Sequence, residues 1–142
     1  MARRISIICS ILTLATALLF RPSSLANAQE MEVIAGGELE YQNYCAVCHG
    51  VNGRGQGIMS KYLTVRPSDL TEIAKRNGDV FPFWRVLRTI DGSEEVRGHG
   101  TRDMPVWGDR FRAQAGNNDS GSRAQAAGRL LGLVFYLQHI QE

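Results

Sequence analysis

Two thiols and an imidazole stand within five residues in the stretch Asn43-Tyr44-Cys45-Ala46-Val47-Cys48-His49-Gly50. Cysteines separated by two residues can cycle as a redox dithiol, hold a metal ion together with further ligands, or form two thioethers to one haem while the next histidine takes the iron. The three options differ in what else the chain must contain. A redox dithiol sits near a strand-helix-strand pattern, and no stretch here shows sustained period-two alternation. A zinc site needs further ligands, for which only His99 and His139 remain, without a second close pair. An iron-sulfur cluster usually takes four cysteines, whereas Cys9 is the only other one in the chain.

The compartment bears on the same choice. Residues 1–28 begin with Arg3 and Arg4, continue with a 16-residue apolar run from Ile5 to Phe20, and end in Ala26-Asn27-Ala28. This is the anatomy of a secretory signal peptide cut after Ala28. The rival is a retained anchor, but Ser6, Ser10, Thr13 and Thr16 dilute the run and a span needs ~20 apolar residues. On the signal-peptide reading Cys9 leaves with the leader, and residues 29–142 make one small exported domain. Of the 16 basic residues against 14 acidic ones, Arg3, Arg4 and Arg21 belong to the leader, so the remainder is close to neutral. Its arginines are interspersed with acids, which gives no reason to expect a nucleic-acid partner. The expected cofactor is therefore one covalent haem c on Cys45 and Cys48, with His49 on its iron.

The second axial position has candidates by atom type in Met31, Met59, Met104, His99 and His139. Met31 falls in an expected irregular start, Met59 in a glycine loop ten residues after His49, and His139 inside the last helix. Met104 stands in Arg102-Asp103-Met104-Pro105-Val106-Trp107-Gly108, where Pro105 fixes the backbone and Trp107 can cover a haem edge. A lone methionine is ordinarily core filler; here it is the first choice, with His99 as its rival.

The elements that must position these groups read as helices and loops. A helix over Val33 to Tyr44 carries the cysteines at its end, and Gly50, Gly53, Gly55 and Gly57 make residues 50–60 a loop. Ser68 is read as the cap of a short helix running to about Lys75. Asn77-Gly78-Asp79 turns the chain, and Pro82 opens a helix with Val86, Leu87 and Ile90 that stops at Asp91-Gly92. Residues 92–120 read as irregular. In the last helix Ser122 and Gln125 make a capping box, and Leu130, Leu133, Val134, Leu137 and Ile140 recur at helical spacing.

With these residues in view the chain resembles a class I cytochrome c, in particular the small monohaem cytochromes that bacteria export to the periplasm. The resemblance rests on Gly37 and Tyr41 before Cys45, on Cys45-Ala46-Val47-Cys48-His49-Gly50, on the glycine loop, on Pro67-Ser68-Asp69-Leu70-Thr71, on Met104-Pro105-Val106-Trp107-Gly108 and on Leu133 with Tyr136. It implies an all-α domain of several short helices wrapped around one covalently attached haem, the first and last crossing through Gly37, Tyr41, Leu133 and Tyr136. One departure is plain. Relatives often have a proline about nine residues after the haem histidine, beside the carbonyl that accepts its ring N–H, and Ile58 stands here. That carbonyl is left unassigned.

Iron with both axial positions filled by protein is restricted to one-electron exchange. The function expected is that of a periplasmic electron carrier, a monomer with no stable membrane insertion, meeting a redox protein donor and acceptor. The surroundings of Cys48, Ile58, Met59 and Val106 are candidate rims of the exposed haem edge. Glu94, Glu95 and the arginines at 85, 88, 97, 102, 110 and 112 are candidate docking or propionate-binding groups. A peroxidase-like haem enzyme, using His99, Arg102 and Asp103, or a gas-binding haem sensor is the alternative if the sixth ligand is absent or labile.

Overall fold

The computed structural model describes residues 23–94, 104–116 and 119–142. Residues 1–22, with Cys9 and the apolar run, and Glu95, Arg97, His99, Arg102 and Asp103, lie outside the described residues. The chain divides into two compact units, Met1–Met31 and Glu32–Glu142.

The described residues are helices and turns with no strand among them, so the all-α expectation holds. Five α-helices appear in order: α1 Ser23–Tyr44, α2 Ala46–His49, α3 Phe83–Asp91, α4 Trp107–Gln114 and α5 Ser120–His139, with 3₁₀ turns at Ser60–Tyr62 and Lys75–Asn77. None of the described helices is long and apolar enough to cross a membrane.

Helix α1 starts ten residues before the expected Val33, so Met31 is helical rather than irregular. The reason is local: Ala26, Ala28, Gln29, Glu30 and Glu32 are strong helix formers with no breaker among them. Over the part of α1 that packs, Gly37 is buried against α5, and a Cβ placed on it would overlap the Gly132 carbonyl oxygen. Two backbones approach this closely only where neither carries a side chain. One turn on, Tyr41 and Tyr136 stack with ring centroids 5.2 Å apart, and Leu133 is 1 % exposed. The four residues expected at this crossing are all in it. Gly132, which supplies the other half of the gap, had not been singled out.

Helices α3, α4 and α5 pack on one another and share a core with α1 in which Tyr41, Phe111, Leu133 and Val134 are fully buried. Helix α3 begins after Pro82 and ends at Gly92, whose φ of 87° is the left-handed conformation that closes helices. Helix α4 corrects the reading of 92–120 as irregular. It is only two turns long, but Trp107 and Phe111 share its buried face, and Asp109 in its first turn complements the helix dipole. Helix α5 starts earlier than expected: Asp119 is its cap, accepting the Ser122 N–H at 2.8 Å, so Ser122 lies within the first turn rather than capping it.

The segment after Pro67 also differs from its reading. Ser68 caps no helix; instead Asp69 accepts the Thr71 N–H at 2.9 Å and its hydroxyl at 2.6 Å, making a side-chain-closed turn. Regular structure there is limited to the 3₁₀ turn Lys75–Asn77, which Gly78 ends at φ 68°.

Candidate functional site

Helix α1 delivers the cysteines with no break in the backbone ladder. The Cys45 N–H donates to the Tyr41 carbonyl at 2.8 Å, and Cys45 accepts in turn from the N–H groups of Cys48 at 3.1 Å and His49 at 2.9 Å. Cys45, Cys48 and His49 are thus three and four residues apart on one helical turn, so their side chains share a face. Gly50 closes that turn at φ 82°, and its carbonyl accepts the buried Tyr41 hydroxyl at 2.6 Å. Burial holds that phenol far above its usual pKa.

The carbonyls left over at the end of this turn are met by the glycine loop. Gly55 donates to His49 at 2.7 Å, Gly57 to Cys48 at 3.0 Å and Met59 to Val47 at 2.9 Å. Gly57 sits directly on the Val47–Cys48 peptide, where a Cβ would overlap the Val47 carbonyl. Gly55, at φ 74°, lies against the carbonyl of Pro67 in the same way. The loop glycines are therefore contact residues, letting two further stretches of backbone lie on the turn.

One of those stretches supplies the missing carbonyl. His49 Nδ1 is 3.1 Å from the Ser68 carbonyl oxygen, nineteen residues along the chain. A carbonyl can only accept, so Nδ1 carries the proton and Nε2 is the unprotonated ring nitrogen, the one able to act as a ligand. The acceptor thus comes from beside Pro67, farther along than the expected pattern, and Ile58 is 72 % exposed.

Cys45, Cys48, His49 and Met104 all line a single cavity of about 710 Å³, within the roughly 300–1,000 Å³ typical of small-molecule and cofactor sites. Its apolar walls come from Tyr44, Leu63, Val65, Leu70 and Ile73, from Val86 and Ile90 of α3, from Trp107 of α4 and from Leu133 and Leu137 of α5. Arg76, Asn77, Arg85, Thr89, Glu94 and Arg110 are its polar members. Of the other sulfur and imidazole candidates, Met31, Met59 and His139 do not line it, and Met59 is 41 % exposed.

The Cys45 thiol is pushed up to about 12, first by burial, then by Glu40 and Cys48. A redox dithiol works through an attacking thiol with a depressed pKa, and the shift at Cys45 runs in the other direction. Glu40 is itself engaged: both its oxygens accept from Arg129, at 2.7 and 2.8 Å, and that guanidinium lies 3.8 Å from the centroid of Phe111. Among the described residues no three side chains of His, Cys, Asp or Glu converge as a metal site.

Several charged groups singled out by sequence have other occupations. Glu94 bridges Arg85 and Arg88 at 3.4 and 2.9 Å, and Arg112 binds Asp91 and Asp109 at 3.1 and 2.7 Å. Arg110 lies over the Trp107 ring, 5.2 Å from its centroid. In the cysteine turn and the loop after it Val47, Val51, Ile58, Met59 and Tyr62 are all exposed, and they include two of the expected rim residues. Val106 is half-buried, its side chain pressed on Gly92. Comparison of the chain with family models, with curated proteins and with solved structures returned no match.

Proposed function

We propose that the protein is a one-electron carrier that holds one haem c through thioethers from Cys45 and Cys48, with His49 and Met104 as axial ligands of the iron. The observation that carries the reading is the convergence of those four residues on one cavity of cofactor size, with the imidazole tautomer fixed by the Ser68 carbonyl. When bound, the haem supplies reversible one-electron exchange at its iron.

The chain's own residues would do the rest. Cys45 and Cys48, at the edge of the cavity, bind the group covalently. The His49 ring, with Nδ1 donating to Ser68, presents Nε2 as a ligand whose basicity that hydrogen bond raises. Met104 adds a soft, neutral thioether, which favours the reduced metal. Leu70, Ile73, Val86, Ile90 and Leu133 exclude water from the ring faces, and burial of this kind tunes the potential. Arg76, Arg85 and Arg110 are cations on the lining and suit the carboxylates of the propionates.

The exposed side chains of Val47, Val51, Ile58 and Met59 in the attachment turn and the loop after it mark the surface where a redox donor and acceptor would meet the cofactor's edge. The leader 1–28 would direct the chain to the periplasm and be removed there. The test is intact mass and acid-acetone extraction of protein made with a c-type maturation system, then a reduced spectrum with and without carbon monoxide. Haem that stays with the protein and a spectrum that carbon monoxide leaves unchanged are the expected results. Haem lost to the solvent overturns attachment, and a large spectral change assigns the protein to the peroxidase or gas-sensing class.

A further inference from the structure

The Ser68 carbonyl that orients His49 belongs to a segment with almost no regular structure, so something outside the segment must hold it in place. One side rests on the glycine loop, where the Leu70 N–H donates to Gly53 at 2.7 Å and Pro67 lies against Gly55. On the other side the Arg76 guanidinium donates to the Asp69 carbonyl from within the segment, and most of the ties from outside it come from Gln141. Its Oε1 accepts the Ala74 N–H at 2.8 Å, while Nε2 donates to the Leu70 carbonyl at 2.8 Å and to the Leu137 carbonyl at 2.5 Å. One amide therefore spans residues 70 and 74 and ties both to the last turn of α5. Glu142 adds its backbone N–H to the Thr71 carbonyl at 2.9 Å and its side chain to Arg54 of the glycine loop at 2.5 Å.

The Arg54 pair is exposed on both partners, and surface pairs of this kind contribute little. The Gln141 amide is half-buried and uses both ends. Replacing it by an apolar side chain strands a backbone donor at Ala74 and acceptors at Leu70 and Leu137, the costly way to lose hydrogen bonds. Leu137 also lines the cavity, so the same amide links the apolar wall to the histidine's seat.

We propose that Gln141 is a positioning residue for the axial histidine: through Leu70 and Ala74 it fixes the Ser68 carbonyl, and thereby sets the donor strength of His49. This rests on the haem-carrier reading above. A firm Nδ1–H to carbonyl bond makes the imidazole a stronger donor and favours the oxidised metal. Loosening it therefore shifts the equilibrium with a one-electron mediator toward the reduced protein. Removing a direct hydrogen-bond partner of a metal ligand typically costs about ten- to a hundredfold in metal affinity or activity, and Gln141 acts one step further out, so a smaller effect is expected.

The experiment compares the full-length holoprotein with Gln141→Leu, Gln141→Glu and Leu130→Ala, the last a core residue outside the cavity lining that serves as a control for general destabilisation. Two quantities are read: the equilibrium constant with a fixed mediator, and the rate at which the His49 Nδ1 proton exchanges with deuterated water. In Gln141→Leu the equilibrium constant rises by about threefold to tenfold and the exchange accelerates at least about tenfold, while Leu130→Ala leaves the equilibrium constant unchanged. Gln141→Glu resembles Gln141→Leu at neutral pH and moves back toward wild type on acidification, as the protonated carboxyl regains one donor. It carries the comparison alone if Gln141→Leu does not fold. Gln141 variants indistinguishable from Leu130→Ala in both readouts overturn the proposal. A wild-type protein without covalent haem overturns the carrier reading, and this proposal with it.

Discussion

The two sides of the cavity that carry the proposed ligands are built by different means. The His49 side is a lattice of backbone hydrogen bonds: the glycine loop caps the cysteine turn, Pro67 and Ser68 lie on the loop, and Leu70 and Thr71 are tied from both directions. Among the described residues, the contacts of the Met104 side are made chiefly by side chains. Val106 packs on Gly92, Gly108 on Asp91, and Arg112 joins Asp91 to Asp109. Backbone lattices have few alternative arrangements, whereas side-chain contacts can be rearranged at lower cost. The lesson is that the two axial ligands would differ in how firmly the fold holds them, with the methionine the more readily displaced.

The largest test removes the softer side altogether. Met104→Ala should lower the reduction potential by on the order of a few tenths of a volt and open the metal to carbon monoxide, as followed by potentiometry and reduced spectra. A potential that does not move assigns the second ligand elsewhere, with His99 next in line.

Next in size is a pair of glycine substitutions that weighs one side against the other. Gly55→Ala sets a Cβ against the Pro67 carbonyl at a φ of 74°, combining overlap with backbone strain, and should destabilise the protein by about 3 kcal/mol in denaturant melts. Gly108→Ala meets the Asp91 carboxylate, which Arg112 holds, and the Asp91 carbonyl at 2.7 Å, but without the positive φ that adds strain at Gly55. A loss of about 1–2 kcal/mol is expected. Equal losses would mean that the two sides are equally rigid.

The smallest effect is one of pH. The Asp69 carboxyl is held below its usual range chiefly by the Thr71 hydroxyl, with the Thr71 N–H adding to it. A depressed folded pKa gives stability that is present above about pH 4 and lost as the pH falls through the folded value. Acid titration of wild type should therefore show a small extra loss below about pH 4 that Asp69→Asn lacks. Identical curves would mean that the turn beside Ser68 owes nothing to its carboxylate.

How legible the site was depends on whether a residue type or a backbone atom does the work. Cys45, Cys48 and His49 announce themselves because their spacing is the geometry of one helical turn. Tyr41 and Leu133 fit the helical spacing of their segments, while Tyr136 and the crossing itself were expected only from the resemblance. Gly132 gives no such signal, because a glycine within a helix reads only as a weak helix former until the neighbouring helix is seen to need the room. The Ser68 carbonyl leaves no trace in sequence, since every residue has one. Helix α4 is hard to read from sequence because Pro105 and Gly116 flank, and Gly108 interrupts, a span of only two turns; the spacing of Trp107 and Phe111 is the available signal. The start of α5 was misplaced because Asp119, Ser120 and Ser122 are all competent caps, and only the observed hydrogen bond selects Asp119.

The link from residues 141 and 142 back to residues 70–74 also fixes an order in time. A chain that emerges with its N-terminus leading exposes Cys45, Cys48 and His49 long before Gln141 arrives, and contacts between such distant parts of a sequence form late in folding. The ties of residues 70–74 to Gln141 and Glu142 are therefore made well after the cysteine turn can form. Until then the two thiols would stand on an unclosed turn, open to the attachment chemistry that the haem-carrier reading requires.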